Sequence, residues 1–103
     1  MNSELIKSVF QDELDRTKRL IQRYESELKT LPKGSVFKRK IGNQEYLYLN
    51  YRDGNKVVSK FLGNVKDFQL DEFESKLERR KELSALLKKM NVDKKALEKE
   101  LSK

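Results

Sequence analysis

The residues best suited to do chemistry in this sequence are cations interleaved with aromatic rings between Lys33 and Lys66. This segment carries eight lysines and arginines against two carboxylates, Glu45 and Asp53, so it holds +6 of the chain's net charge of +7. Cationic side chains neutralise phosphates and aromatic rings stack on bases, so the combination is typical of a surface that contacts nucleic acid. The candidate nucleic-acid-binding residues are Lys38, Arg39, Lys40, Tyr46, Tyr48, Arg52, Lys56 and Lys60.

The other reactive residue types argue against an enzyme. The chain has no cysteine and no histidine, so it lacks thiolate nucleophiles, imidazole bases and the usual zinc ligands. It contains no phosphate-binding loop and no dinucleotide fingerprint. A metal-dependent nuclease built from helix carboxylates such as Asp12, Glu13 and Asp15 is the alternative, but such clusters are typical of solvated helix faces. We expect a protein that is not an enzyme, with no catalytic residues, no metal and no cofactor.

Alternating residues bounded by turn signals predict that the basic segment folds as a three-stranded antiparallel meander over residues 35–62. The predicted strands are Ser35–Ile41, Glu45–Tyr51 and Lys56–Leu62. A first turn at Gly42-Asn43 places Lys40 opposite Glu45, which is a favourable cross-strand pair. The second turn could be Asp53-Gly54 or Gly54-Asn55, so the register of the third strand stays open.

Alternation also divides the predicted sheet into two faces. One face carries Phe37, Arg39, Tyr46 and Tyr48. The other carries Val36, Lys38, Lys40, Leu47, Leu49 and Tyr51. The aromatic residues either contact a nucleic acid or form the core that fixes the sheet to the helices, and the sequence does not say which face is exposed.

Apolar residues at heptad-like spacing predict a long first helix over residues 1–31, with Ser3 as its N-cap and Pro32 ending it. The seam of this helix consists of Phe10, Leu14, Ile21, Tyr24 and Leu28. Such a stripe either packs inside the protein or forms a dimer interface.

The remaining elements are helices. A second long helix is predicted over residues 67–90, with its start near Asp67 or Asp71 and a break at Asn91. Asp93 caps a short helix over residues 93–102. The predicted fold is α+β in the order α-β-β-β-α-α, a single domain of residues 1–103 whose long helices form an antiparallel, coiled-coil-like hairpin. No apolar run approaches the ~20 residues that span a bilayer, and the N-terminus does not resemble a signal peptide. We expect a soluble cytoplasmic protein that does not bind membranes.

The run YLYLNYRDGNKVVSKFLG, from Tyr46 to Gly63, is similar to a segment of small phage, transposon and integrative-element proteins. It also resembles the three-stranded DNA-binding modules at the N-termini of phage-type integrases. With Leu31-Pro-Lys-Gly-Ser35 leading into the meander, the whole arrangement resembles a small family of bacterial and mobile-element proteins. The resemblance implies no recombinase activity, because no integrase catalytic domain is present. It implies a binding role for Arg39, Tyr48, Arg52, Lys56 and Lys60.

The size, charge and non-enzymatic character of the chain are similar to those of the small anti-CRISPR proteins of phages and plasmids. Proteins of that class commonly block a Cas nuclease or its guide RNA by binding. The expected partners are therefore DNA, RNA or a nucleic-acid-bound protein such as a Cas effector. The alternative hypothesis is a helical protein–protein interaction or homodimerisation module that does not bind nucleic acid.

Overall fold

The structure is a computed structural model that describes residues 3–103. Its elements are α1 (Ser3–Lys29), β1 (Ser35–Ile41), β2 (Gln44–Asp53), β3 (Lys56–Asn64) and α2 (Leu70–Leu101). The three strands form one antiparallel sheet in the order β1-β2-β3. The α+β class and the predicted order of helix, meander and helix are confirmed. Met1 and Asn2, which the predicted first helix included, lie outside the described residues.

The C-terminal third of the chain differs from the prediction, because α2 is one uninterrupted helix of 32 residues. The predicted break at Asn91 and the separate helix over residues 93–102 are wrong. The side-chain amide of Asn91 donates a hydrogen bond of 2.9 Å to the backbone carbonyl oxygen of Leu87, within its own helix. Leu87 and Met90 pack with Ile21 of α1. Leu97, which follows Asn91, lines the same groove as Thr17 of α1. Contacts with α1 before and after Asn91 thus outweigh the modest helix propensity of asparagine.

Of the two predicted starts of this helix, Asp67 is early by about one turn and Asp71 is late by one residue. Asn64 organises the residues that precede the helix. The backbone N–H groups of Asp67 and Phe68 donate to the carbonyl oxygen of Asn64, at 3.0 and 3.1 Å. The backbone N–H of Lys66 donates to the side-chain oxygen of Asn64 at 2.9 Å. These bonds hold residues 64–68 in turns, and the helix begins at Leu70.

The chain divides into two compact units, of which one combines the chain up to Thr30 with Lys81–Lys103 and the other is Leu31–Arg80. The single-domain prediction for residues 1–103 stays a prediction. In the part of the chain that the structure describes, no helix combines the length and the apolar character that crossing a membrane requires.

The first unit is a helical hairpin. Ile21, Leu87 and Met90 form a buried cluster, against which Leu20, Tyr24 and Leu28 pack. Residues of α1 that precede Ile21 lie near residues of α2 that follow Met90, since Thr17 and Leu97 line the same groove. The two helices therefore run antiparallel in this unit, as predicted.

The second unit contains the meander. Lys40 lies opposite Glu45, so the predicted register of the first hairpin is confirmed. Asp53 lies opposite Lys56, which makes Gly54-Asn55 the turn of the second hairpin. The register between β2 and β3 shifts between Leu47 and Tyr48. A bulge of this kind bends the bulged strand and increases the local twist.

Candidate nucleic-acid interface

Cross-strand pairing determines which side chains share a face of the meander, because directly paired residues project to the same side. Tyr48 pairs with Phe37 of β1 and with Phe61 of β3, so three rings form a row across the sheet. We call their side the aromatic face. Its members are Ser35, Phe37, Arg39, Ile41, Gln44, Tyr46, Tyr48, Asn50, Arg52, Val57, Ser59, Phe61 and Asn64.

The opposite side, which we call the leucine face, supplies the buried residues of the sheet. Leu47 is fully buried and Leu49 is nearly so. The other members are Val36, Lys38, Lys40, Glu45, Tyr51, Asp53, Lys56, Val58 and Lys60. All four lysines of this face are exposed, because a lysine can extend its aliphatic stem along apolar surface and keep the ammonium group in water.

The aromatic face is the exposed face of the sheet. The exposed fractions of Val57, Phe61, Ile41 and Phe37 are 67%, 56%, 52% and 36%. Tyr46 and Tyr48 are half-buried. The interpretation of Phe37 and Phe61 as core residues is therefore wrong, and the fully or nearly buried residues of the sheet are leucines on its other side.

The rings of the aromatic face contact one another in a continuous chain. Phe37 stacks on Tyr48 with 5.4 Å between ring centroids and an interplanar angle of 22°. The edge-to-face pair of Tyr48 and Phe61 has a centroid distance of 5.5 Å, and Phe61 also contacts Tyr46 at 5.9 Å. Such pairs contribute about 0.5–1.5 kcal/mol each beyond their buried area. These contacts favour the observed arrangement of the rings in the absence of a ligand.

The charges of the two faces differ in kind. The aromatic face carries two guanidinium groups, Arg39 and Arg52, and none of its thirteen residues is acidic. On the leucine face, Lys40 lies opposite Glu45 and Lys56 lies opposite Asp53, so two of its four lysines have a carboxylate as their cross-strand neighbour. The positive potential of the aromatic face is not offset by carboxylates on the same face.

The two arginines lie on opposite sides of the ring row. Arg39 is level with Tyr46, two residues along β2 from Tyr48, which corresponds to about 7 Å at ~3.4 Å per residue. Arg52 is four residues from Tyr48 in the other direction, which corresponds to about 14 Å. The row of Phe37, Tyr48 and Phe61 therefore has one cation on each side of it, and Arg39 lies beside the ring of Tyr46.

The structure separates the predicted site residues into two groups. Arg39, Tyr46, Tyr48 and Arg52 share the aromatic face, whereas Lys38, Lys40, Lys56 and Lys60 share the leucine face. Sequence reasoning left Phe61 out of the candidate set, although it is the most exposed ring of the aromatic face. The signal that identifies Phe61 is the alternation of β3, which becomes usable once the turn is known to be Gly54-Asn55.

The predicted helix seam has its partner inside the helical unit. Leu14 and Ile21 are buried, and Tyr24 and Leu28 pack against the cluster that contains Leu87 and Met90. Phe10 is half-buried. The burial of this stripe is thus explained by the two helices of one chain.

Within residues 3–103, no three acidic side chains come together in a way that could hold a metal ion. The carboxylate of Glu13 forms a 3.1 Å ion pair with Arg16 on the exposed side of α1. This is the solvated helix-face arrangement that the sequence indicates for the cluster at residues 12–15.

Comparison with known proteins gives a family and no activity. No curated protein and no solved structure matches the chain. A family described as "Domain of unknown function (DUF6788)" matches residues 10–71, which cover most of α1, the whole meander and the start of α2. The resemblances to integrase modules and to anti-CRISPR proteins stay predictions. Because the match spans more than half of its length, the chain belongs to the DUF6788 family.

Proposed function

We propose that this protein binds nucleic acid through the aromatic face of its meander and does not catalyse a reaction. The observation that carries the proposal is the row of Phe37, Tyr48 and Phe61, of which Phe37 and Phe61 are exposed. The row has Arg39 and Arg52 on either side and no carboxylate among its neighbours on that face. An exposed apolar patch of this kind marks an interaction surface. Its charge selects an anionic partner.

Nucleic acid fits both components of this surface. A guanidinium group binds phosphate oxygens through two parallel hydrogen bonds, and an aromatic ring stacks on the flat face of a base. An acidic protein would satisfy the two arginines but would place carboxylates beside the exposed rings of Phe61 and Phe37. Rings and phosphate-binding cations on one face therefore favour nucleic acid over an acidic protein.

A matched pair of variants tests this proposal. Arg39→Ala and Lys38→Ala each remove one positive charge at adjacent positions, but from opposite faces of the sheet. Fluorescence anisotropy with a labelled oligonucleotide at several salt concentrations gives the affinity and the salt slope. We expect Arg39→Ala to weaken binding and to lower the slope by about 0.7–0.9, the value for one lost phosphate contact. Lys38→Ala should have a smaller effect on both quantities.

Two results would contradict the proposal. Absence of micromolar binding at low salt would rule out a nucleic-acid-binding function. Equal losses from Arg39→Ala and Lys38→Ala, with circular dichroism spectra like that of the parent, would assign the binding to total charge and not to the aromatic face.

The alternative function, a helical protein–protein or homodimerisation module, has less support. Ile21 and the residues that pack around it have partners within the helical hairpin. Inhibition of a Cas effector stays a prediction, in which the nucleic acid that the protein binds belongs to a Cas complex. Cleavage by purified Cas9 with and without the protein tests that prediction directly.

A further inference from the structure

We propose that the ligand of the aromatic face is an unpaired strand of nucleic acid, whose bases stack on Phe61 and its neighbouring rings while Arg39 and Arg52 bind its phosphates. This inference rests on the proposed function and names the form of nucleic acid that the face takes. It is carried by the ratio of apolar to charged groups, by the exposure of the rings and by the position of the two arginines.

The composition of the face distinguishes the two forms of nucleic acid. A duplex keeps the faces of its bases stacked inside and presents phosphates outward, so a surface for its backbone needs many cations. The aromatic face offers two cations and six large apolar side chains, namely Phe37, Ile41, Tyr46, Tyr48, Val57 and Phe61. If those apolar side chains contacted the phosphates of a duplex, the phosphates would lose water and would gain no hydrogen bond or opposite charge in return. An unpaired strand exposes base faces, and base faces are what rings on a sheet bind.

The geometry of the rings agrees with stacking. Phe61 leaves 56% of its surface open although it contacts both Tyr46 and Tyr48, so it is held in place and still accessible. Phe37 is the second exposed ring and stacks on Tyr48. A strand that crosses the sheet along the row of rings meets Phe37 on β1, Tyr48 on β2 and Phe61 on β3.

The arginines are placed to bind the backbone of such a strand. Arg39 lies on one side of the ring row and Arg52 lies on the other, so the phosphates of the strand have a cation on either side of the stacked bases. The lysines of the leucine face project to the other side of the sheet. They add to the general attraction of the chain for a polyanion but do not contact a strand that lies on the rings.

The test compares single strands with a duplex and varies the ring at position 61. The probes are labelled oligo(dT) and oligo(U) of about 12 nucleotides, within the usual range of site sizes, and a DNA duplex of equal length. We expect the parent protein to bind at least one single strand more tightly than the duplex. Phe61→Ala and Phe61→Leu should weaken single-strand binding by about 5- to 100-fold, since one stacked base is lost. Phe61→Tyr keeps a ring and should retain the affinity.

Two further variants make the result specific. Val92→Ala shortens another exposed apolar side chain, which lies on α2 and outside the aromatic face, and should leave binding unchanged. Phe61→Trp introduces the only tryptophan of the chain, so its emission reports on position 61 alone. Addition of the single strand should quench that emission if a base stacks on the ring.

The outcomes separate this inference from the function on which it rests. Equal affinity for duplex and single strands, together with parent-like binding by Phe61→Leu, would overturn the unpaired-strand inference and leave nucleic-acid binding standing. Failure to bind any of the three probes at low salt would overturn both. Tighter binding of at least one single strand than of the duplex, with weaker binding by Phe61→Leu, supports the inference. A preference between oligo(dT) and oligo(U) reports the combined effect of the sugar and of the thymine methyl group.

Discussion

Gly34, which precedes β1, is the position where the structure predicts the sharpest effect of a single added methyl group. Its φ is +119°, a conformation that side-chain-bearing residues rarely adopt. A Cβ atom at this position would lie 2.2 Å from the backbone oxygen of Asn50 and 3.0 Å from the Cβ atom of Tyr51. Gly34→Ala therefore imposes backbone strain and a clash with backbone at the same time.

The two costs can be estimated separately. Holding a non-glycine residue in a sparsely populated φ region costs about 1–3 kcal/mol, and overpacking costs about 1–3 kcal/mol. We expect Gly34→Ala to lower the free energy of unfolding by about 2–6 kcal/mol. Gly42→Ala is the matched control, because Gly42 has a φ of +64° and no atom lies within 4 Å of its added Cβ atom. We expect Gly42→Ala to lower the free energy of unfolding by about 1–2 kcal/mol, which is the cost of the backbone conformation alone.

Urea denaturation followed by circular dichroism measures both variants, and the difference in midpoint gives the energy when the slope m is unchanged. If the two substitutions destabilise the protein equally, the close approach of Gly34 to Asn50 contributes nothing and the reasoning is refuted. A Gly34→Ala variant as stable as the parent would refute both parts of the argument.

Two more substitutions test the fold. Leu47→Ala removes a fully buried side chain from the leucine face and should lower the free energy of unfolding by about 2–5 kcal/mol; a loss below about 0.5 kcal/mol in the same urea assay would mean that this face is not the core. Asn91→Pro interrupts a continuous helix and should lower stability by about 3 kcal/mol with a loss of far-ultraviolet helical signal. Parent-like stability of this variant would instead support a helix boundary at Asn91.

The strand positions and the first hairpin could be predicted from the sequence because local chemistry specifies them. Gly42 has positive φ, and no residue other than glycine has positive φ within residues 3–103. A positive φ at Gly42 followed by a negative φ at Asn43 is typical of a two-residue hairpin turn with glycine in its first position. The second hairpin was ambiguous, because Asp53-Gly54-Asn55 contains two possible turn pairs. The bulge between Leu47 and Tyr48 has no sequence signal comparable to that of a turn.

The error at Asn91 has a tertiary cause. Asparagine often marks helix ends because its side chain bonds to nearby backbone. Here that side chain bonds to the carbonyl oxygen of Leu87, four residues earlier in the same helix. Met90, directly before Asn91, packs with Ile21 of the other helix, a contact that no local pattern in the sequence shows.

The exposed face of the sheet could not be predicted, because both faces mix apolar residues with cations. Counting charge along the chain grouped Lys38, Arg39 and Lys40 into one basic cluster. Alternation in β1 sends Arg39 to one side of the sheet and both lysines to the other. Burial then determines the role of each side, and it is Leu47 and Leu49 that are buried.

This division separates what folds the meander from what it presents to a partner. The buried side chains of the sheet belong to the leucine face, so burial of the rings is not what forms the core of this unit. Covering exposed apolar surface contributes about 25 cal/mol per Å² to the free energy of binding. Phe61, Val57 and Ile41 keep much of their apolar surface exposed after folding, so this contribution is available to a ligand. Substitutions at exposed positions of this face should therefore alter binding more than stability, and substitutions on the leucine face should do the reverse.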